Sequence, residues 1–427
     1  MVASNDPKDV LDALYKSESA RLLAVLVRLF GPQNLQLAED VLQDAFQRAL
    51  LSWQAAGVPV NPAGWIMTAA RHRAIDVIRA RRVQERFSDD LRHQLESDWT
   101  LSYTVEQEFA EPRVRDDQLR MIFLCASAGL TPDYRIPLIL RTLCGFSVPA
   151  IARALFVPEE TIKKRLQRSR QRLHGHRFEF PPLDQLLPAM DSVHTVIYLL
   201  FNEGFHSTDP SAPLRRDLCL EAVHLVSLLI DEPRIVNQDT WGLLALMRFH
   251  LARAVARVDL HGDNVPIDLQ DRALWDKAEI ELGRSLLQLA AHAPPGASGR
   301  YFFEAAIAFE HCRAEHFAAT NWPAIVSFYD HLVAATESPI ALLNQAVALG
   351  YAGEVERAFS RVQSASQHPV LRDSHLPSAI LAHLHALRGE AERARHYARH
   401  SASLGGSPQE QHIMHQQIER LLLVNSA

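Results

Sequence analysis

The sequence predicts an all-α protein, and three observations support this fold class. Apolar residues recur at helical spacing along most of the chain, no stretch shows the period of two typical of strands, and Gly and Pro stand where the helical patterns stop. The chain has 427 residues, 48% of them apolar, so it can form roughly two to four domains with substantial cores. We expect a helical domain over residues 1–87, an acidic linker over 88–115, a helix-turn-helix domain over 116–180 and a helical-hairpin domain over 181–427.

The first 53 residues predict two helices. Apolar residues between Val10 and Leu29 form the stripe of the first helix, and Gly31-Pro32 ends it. The second helix, over Leu37–Trp53, has one apolar face and an opposite ridge of carboxylates. That ridge suits docking to another protein, and it is equally what a solvated helix carries. Its candidate residues are Glu39, Asp40 and Asp44, with Trp53 beside them.

A basic segment follows between Trp65 and Arg82. Asp76 is its only acid, and cations occupy most positions between the apolar ones. A cationic helix with an aromatic residue can hold a single nucleic-acid strand through phosphate contacts and base stacking. A solvated basic helix is the alternative. The polar residues of the segment are Arg71, His72, Arg73, Asp76, Arg79, Arg81 and Arg82.

Residues 145–174 carry the clearest functional pattern, a helix-turn-helix that is typical of duplex DNA binding. Apolar residues from Ala150 to Leu155 predict a short first helix, and Val157-Pro158 predicts the turn, with Pro158 at the first position of the second helix. Ile162, Leu166 and Leu173 leave only a narrow packing stripe on that helix. The candidate DNA-contacting residues are Glu159, Glu160, Thr161, Lys163, Lys164, Arg165, Arg168 and Arg172.

The charge is divided unevenly along the chain. Residues 1–182 hold 25 Lys and Arg against 22 Asp and Glu, a net charge of +3, while the remainder holds 19 against 28, a net charge of −9. A mildly basic first part suits DNA, whereas an acidic second part would be repelled by phosphate and suits protein contacts. Eight acids over residues 83–115 predict the flexible acidic linker.

Several other classes of protein are disfavoured. No apolar run reaches the ~18 residues that span a bilayer, and the N-terminus lacks the pattern of a signal peptide, so we expect a cytoplasmic protein without membrane contact. The four cysteines are widely spaced in apolar contexts, which favours buried thiols over a disulfide framework or a zinc site. No phosphate loop, metal-ligand cluster or nucleophile motif occurs, so we expect no enzyme, no cofactor and no bound metal.

An internal repeat marks the last part of the chain. GEVERAF begins at Gly353 and GEAERAR begins at Gly389, 36 positions later, and each follows a helical segment rich in Ala and Leu. Paired helices with a period near ~34 residues are typical of tetratricopeptide-like stacking. The repeat therefore predicts helical hairpins.

These features together resemble a known family. AEDVLQDAFQRAL (38–50), GWIMTAARHRAIDVIR (64–79) and the helix-turn-helix are similar to regions two and four of bacterial RNA polymerase sigma factors of the extracytoplasmic-function type. YLLFNEGF (198–205) and GLLALMRFHLARAVAR (242–257) look like the C-terminal extension of the subgroup with a tetratricopeptide-like domain. The resemblance covers nearly the whole chain.

The resemblance implies a role for each candidate group. Glu39, Asp40, Asp44 and Trp53 would dock on the core polymerase, and Arg71, His72, Arg73, Asp76, Arg79, Arg81 and Arg82 would hold the melted −10 element. The helix-turn-helix residues from Glu159 to Arg172 would enter the major groove of the −35 element. The partners are then core RNA polymerase and promoter DNA, with a protein partner for the C-terminal domain. The alternative is a stand-alone helix-turn-helix regulator whose C-terminal domain senses a ligand or partner.

Overall fold

The computed structural model describes residues 6–30, 35–81, 122–123, 130–173, 186–206, 214–231, 233–259, 263–296 and 298–425. Within these ranges the chain is helical, with short 3-10 turns and one isolated β-bridge between Val258 and Asn264. The predicted all-α class is confirmed. The predicted linker over 88–115 lies outside the described residues. Two compact units form, Met1–Ile235 and Val236–Ala427.

The first unit begins with three packed helices: α1 (Pro7–Phe30), α2 (Leu35–Ala56) and α3 (Pro62–Arg81). The predicted end of α1 before Gly31 is confirmed, and α2 extends beyond the predicted Leu37–Trp53 at both ends. Leu26 of α1 and Ile66 of α3 are fully buried. The apolar stripes read from the sequence therefore form one shared core.

The helix-turn-helix region follows as α4 (Pro132–Thr142), α5 (Val148–Ala154) and α6 (Glu159–Leu173). Two longer helices, α7 (Met190–Phe205) and α8 (Arg216–Ile230), complete this unit. Arg135 Nη1 of α4 donates to Ser192 Oγ of α7 at 3.1 Å. At Gly204 a Cβ would lie 2.8 Å from the carbonyl oxygen of Arg215, so only glycine allows α7 and the start of α8 to approach this closely.

The association of α7 and α8 with the first unit bears on the domain boundary. The sequence predicts that the C-terminal domain begins at residue 181, and that boundary stays a prediction. Because α7 hydrogen-bonds to α4, a truncation at residue 182 would remove helices that the first unit packs against. A truncation after Ile235 would keep the unit whole.

The second unit contains helices that pack in consecutive pairs. They are α9 (Gln238–Ala252), α10 (Lys277–His292), α11 (Arg300–Arg313), α12 (Trp322–Thr336), α13 (Pro339–Tyr351), α14 (Val355–Ser366), α15 (Leu376–Leu387), α16 (Ala391–Leu404) and α17 (Pro408–Asn425). The predicted repeat forms the hairpins α13–α14 and α15–α16.

The two copies of the repeat turn in the same way. Gly353 and Gly389 have φ of +83° and +73°, a left-handed conformation that glycine adopts without strain. The N–H of the next residue then donates to a carbonyl of the last helical turn, Glu354 to Leu349 at 2.9 Å and Glu390 to His385 at 3.0 Å. Glycine at these two positions therefore ends the first helix of each hairpin and allows the second helix to begin.

Two further observations concern the described residues alone. Cys144, Cys219 and Cys312 are buried free thiols, as predicted, and Cys125 lies outside the described residues. Among the helices that the structure describes, none combines the length and apolarity needed to cross a bilayer.

Candidate nucleic-acid interface

The first helix of the helix-turn-helix, α5, is fixed by a side-chain cap. Ser147 Oγ accepts from the backbone N–H of Ala150 at 3.2 Å, which satisfies a donor that the first turn leaves without a helical partner. Ile151 is fully buried and anchors α5 to the rest of the domain. This short helix is therefore held at its start and along its apolar face.

The turn between α5 and α6 contains a strained residue. Phe156 has a φ of +54°, and its side chain is 58% exposed. A non-glycine residue in the left-handed region costs roughly 1–2 kcal/mol. The carbonyl of Pro158 accepts from Thr161 N–H at 3.0 Å, so Pro158 caps α6 and the helix begins one residue later than predicted.

The buried stripe of α6 is narrow. Ile162 and Leu166 are buried, as predicted, while the side chain of Leu173 lies outside the described residues. Ser169 also belongs to this stripe, although the apolar pattern did not predict it. Its Oγ lies 3.0 Å from the carbonyl oxygen of Tyr134, which joins α6 to α4 through a polar contact. A serine among cations gives no apolar signal, so periodicity alone could not place it.

The opposite face of α6 is polar and exposed. Lys164 and Arg168 stand one turn apart on this face, and both are exposed. Gln167 and Gln171 share the same face and are also exposed, and neither is among the predicted DNA-contacting residues. Glutamine amides and cationic side chains are the groups that read base edges in a major groove. The face therefore has both charge for phosphates and donors and acceptors for bases.

Two arginines of α6 are oriented by one tyrosine of α4. Arg168 Nη1 lies 3.3 Å from Tyr134 Oη, and the guanidinium of Arg172 stands 4.8 Å from the centre of the Tyr134 ring. The hydrogen bond from Arg168 lowers the pKa of Tyr134. A third arginine, Arg165, pairs with Asp133 at 3.1 Å. These contacts hold three predicted DNA-contacting cations along one side of α6.

The first turn of α6 contains an internal ion pair. The ammonium of Lys163 pairs with Glu160, and this hydrogen bond lowers the pKa of the Glu160 carboxyl. Both side chains are largely exposed, so the pair is open to exchange with a phosphate. Glu159, Glu160 and Thr161 lie at the helix start as predicted.

The candidate residues of the basic helix α3 lie in two environments, some exposed and some half-buried. His72 and Asp76 are exposed one turn apart, whereas Arg73 is half-buried, its Nε 2.6 Å from Asp44 Oδ2 of α2. Arg71 is half-buried. The side chains of Arg79 and Arg81, and the whole of Arg82, lie outside the described residues.

The acidic ridge of α2 differs from the prediction in one residue and in its partners. Trp53 is 1% exposed and packs edge-on against Trp65 at 5.7 Å, so it is a core residue and the prediction of a surface docking role for it is corrected. Glu39 accepts from Arg170 Nη2 of α6 at 2.8 Å. Asp40 remains exposed. Glu39 and Asp44 therefore each pair with an arginine of a predicted DNA-binding helix.

Comparisons with known families agree with this arrangement. Residues 14–83 match Sigma-70 region 2, residues 120–173 match Sigma-70 region 4, and residues 189–291 match a family of unknown function (DUF6596). The ECF RNA polymerase sigma factor SigX of Bacillus subtilis is 28% identical over 172 residues, covering 40% of this chain and 84% of SigX. No solved structure matches the chain.

The domain matches indicate the class of protein: one with Sigma-70 regions 2 and 4 and a sigma-factor-like promoter-recognition role. A second relative, an uncharacterized protein of Rhizobium meliloti, is 34% identical over 364 residues, covering 83% of this chain and 82% of the relative. The chain therefore belongs to the same family as that protein, and it has the two DNA-binding regions of sigma factors. The sigma-factor resemblance expected from the sequence is confirmed at this level.

Proposed function

We propose that the chain is a promoter-specificity subunit of the extracytoplasmic-function type, acting in the cytoplasm with core RNA polymerase. The observation that carries this proposal is the exposed face of α6, where Lys164 and Arg168 stand opposite the buried stripe in a capped helix-turn-helix. Such a face fits the major groove of a −35 element. Lys163, Arg165 and Arg172 flank this face and would add phosphate contacts to those of Lys164 and Arg168; phosphate contacts set register without reading sequence.

We assign binding of the −10 element to α3. His72 and Asp76 form its exposed face, and Arg71, Arg73, Arg79, Arg81 and Arg82 supply the positive charge for the melted strand. Arg73 is half-buried and paired with Asp44, so we expect it to orient α3 and not to contact DNA itself. Melting would separate this protein from a simple operator binder, because a melted strand exposes unpaired bases to phosphate-tracking cations and stacking side chains.

Core polymerase is assigned to the acidic ridge of α2. Asp40 is exposed, and Glu39 and Asp44 flank it on the same helix, where each is now paired with an arginine. Carboxylates on a helix face would attract a basic surface of the polymerase. Glu39 would have to exchange Arg170 for a polymerase cation, so polymerase docking and the contact between α2 and α6 would compete for one carboxylate.

Run-off transcription with purified core polymerase tests the proposal. The template is the DNA upstream of the chain's own operon, and we expect a discrete transcript that requires both the protein and core polymerase. A stand-alone regulator would bind this DNA without polymerase and would yield no transcript. Replacing Arg79, Arg81 and Arg82 with Ala separates the two classes, since a sigma factor should lose promoter melting while an operator binder should keep duplex binding.

The C-terminal hairpins are assigned a regulatory or partner-binding role as a tetratricopeptide-like domain. The repeat with matched turns at Gly353 and Gly389 supports a tetratricopeptide-like fold. The net charge of −9 over residues 183–427 suits contacts with a protein partner. Truncation after Ile235, at the limit of the first unit, is the suitable test. We expect transcript yield to change by at least about threefold in either direction; an unchanged yield would exclude regulation in cis.

A further inference from the structure

The connection within the first hairpin of the second unit is much longer than those of the later hairpins. Residues 253–276 join α9 to α10, whereas 352–354 join α13 to α14 and 388–390 join α15 to α16. Connections longer than about 12–15 residues are uncommon in compact domains, and those that are ordered usually have a function. We name residues 263–276, the part next to α10, the strap.

The strap is ordered by a few hydrogen bonds within the connection. Val265 N–H donates to the carbonyl oxygen of Arg257 at 2.7 Å, and Gln270 Nε2 donates to that of Val265 at 2.8 Å. The strap lies wholly within the described residues, and its regular structure is one β-bridge and the 3-10 turn Arg272–Leu274. So small a set of bonds is marginal in water, as it is in an isolated hairpin. The strap should therefore stay ordered only while later helices hold it.

One end of the strap is fixed at α11. Arg272 Nη1 donates to the carbonyl oxygens of His311 and Ala314, the latter at 2.8 Å. Carbonyls at the end of a helix lack a helical partner, so the arginine satisfies groups that would otherwise be unpaired. The guanidinium also stands 4.4 Å from the centre of the Trp275 ring, and Trp275 is 4% exposed. Two hydrogen bonds and a buried ring therefore anchor this end.

The middle of the strap reaches α17. Asp268 Oδ2 lies 3.3 Å from Arg420 Nη2 of that helix. Burial, and then the charge of Asp268, raise the pKa of Tyr351 at the end of α13, while Arg420 lowers it, so this ion pair lies beside α13. The strap thus extends from the first hairpin past α11 and α13 to α17.

Such a contact links helices that are far apart in the stack. The extensive helix contacts of this unit run between consecutive hairpins. In a stack of this kind each hairpin is supported by its neighbours, and small rotations between neighbours set the curvature. A link from the first hairpin to α17 therefore restrains every interface between them, and its release would free them together.

The ion pair at α17 is well suited to open. The two groups meet through Nη2 and Oδ2, while Asp268 Oδ1 and Arg420 Nε are buried without a hydrogen-bond partner among the described residues. A bidentate pair would have satisfied both of these atoms. The side chains of Asp268 and Arg420 are 20% and 35% exposed, so water and salt reach the contact. Leu269 is 51% exposed, so apolar packing beside the pair adds little to its strength.

We propose that the strap is a reversible clasp on the hairpin stack, anchored at α11 by Arg272 and Trp275 and caught at α17 by the Asp268–Arg420 pair. Opening breaks the catch, keeps the anchor and lets α17 move away from the first hairpin. The clasp lies wholly within the second unit, and it does not depend on the promoter role. The alternative is a permanent brace, which would open only when the whole unit unfolds.

Hydrogen exchange of the full-length chain, followed by mass spectrometry, tests the clasp. Arg420→Gln removes the catch, so amides of residues 263–271 should exchange at least about threefold faster than in the wild type, as expected for the loss of a partly exposed ion pair. Amides in the middle of α9 and α10 should keep their wild-type rates, because the anchor remains. Raising NaCl from about 0.05 to about 0.5 M should speed exchange of the strap in the wild type and not in Arg420→Gln.

A neighbouring ion pair gives the matched control. Arg395 of α16 pairs with Glu419 of α17 at 2.8 Å, and Arg395→Gln should leave exchange of the strap unchanged. The charge-swapped Asp268→Arg, Arg420→Asp double variant should return exchange of the strap to within about twofold of the wild type.

Two results overturn the proposal. One is a wild-type exchange rate of the strap in Arg420→Gln, and the other is faster exchange spread equally over α9, α10 and the strap, which defines a permanent brace. If Arg420→Gln does not fold, Asp268→Asn takes its place, because it removes the same charge pair and keeps the shape of the side chain. The salt series on the wild type then decides with it.

Discussion

Arg170 Nη2 lies 2.8 and 3.1 Å from the two carboxylate oxygens of Glu39, which joins the helix-turn-helix to the acidic ridge of α2. The residues are 131 positions apart, and the Glu39 side chain is only 16% exposed. The surface proposed to dock on polymerase and the helix proposed to enter the −35 element are thereby joined within one compact unit. Assembly on polymerase and DNA would have to break this pair.

The strength of this pair can be measured with a double-mutant cycle of Glu39→Gln and Arg170→Gln. We expect a coupling free energy of about 0.5–1 kcal/mol in urea unfolding, because Arg170 is partly exposed and solvent screens the attraction. The more exposed Glu160–Lys163 pair is the control, and its coupling free energy should be smaller because solvent screens it more strongly. Additive single substitutions at Glu39 and Arg170 would show that the contact contributes nothing to stability.

The strain at Phe156 predicts an unusual order of substitutions. Phe156→Gly should be more stable than Phe156→Ala by about 1 kcal/mol, because alanine keeps the cost of the left-handed conformation and glycine does not. Both variants remove the same exposed ring, so their difference isolates the backbone. The difference between the two variants is measured as their free energies of unfolding in urea. An Ala variant as stable as the Gly variant, or more stable, would refute a left-handed conformation at residue 156.

Phosphate contacts by α6 predict a change in salt dependence. Lys164→Gln or Arg168→Gln should each reduce the slope of log affinity against log salt by about 0.9, the value for one lost phosphate contact. Affinity of the polymerase complex for promoter DNA is the quantity to measure. Arg357→Gln, an exposed arginine of α14, should leave the slope unchanged. A slope unaffected by either α6 substitution would mean that this face does not meet DNA phosphates.

Acid sensitivity is expected from His194, which is fully buried in α7. Desolvation lowers its pKa from 6.5 to about 4, so the folded chain keeps this ring neutral while the unfolded chain protonates it below pH 6.5. Stability is therefore lost as the pH falls from 6.5 towards 4, by up to about 1.4 kcal/mol per pH unit. His194→Gln should reduce the loss in unfolding free energy between pH 7.5 and pH 5 by about 2 kcal/mol. An identical loss in both proteins would show that His194 is not the group responsible.

Periodicity and turn chemistry predicted the helices well because they are local. The end of α1, the start of α6 within one residue, and the hairpins at Gly353 and Gly389 all follow from nearby residues. Contacts between distant polar groups did not follow. Nothing near Glu39 indicates Arg170, and nothing near Asp44 indicates Arg73. Trp53 was misplaced because an aromatic residue after an acidic ridge has the same pattern whether its ring faces solvent or the core.

Permanganate footprinting of promoter DNA tests the central claim most directly. With core polymerase and the full-length chain, thymines of a −10 element should become reactive about two helical turns downstream of a segment protected by α6. Neither the polymerase alone nor the chain alone should produce reactive thymines. The Lys164→Gln, Arg168→Gln double variant should lose both the protected segment and the reactive thymines. Protection by the chain alone, with no reactive thymines when polymerase is added, would contradict a sigma-factor function and favour a stand-alone regulator.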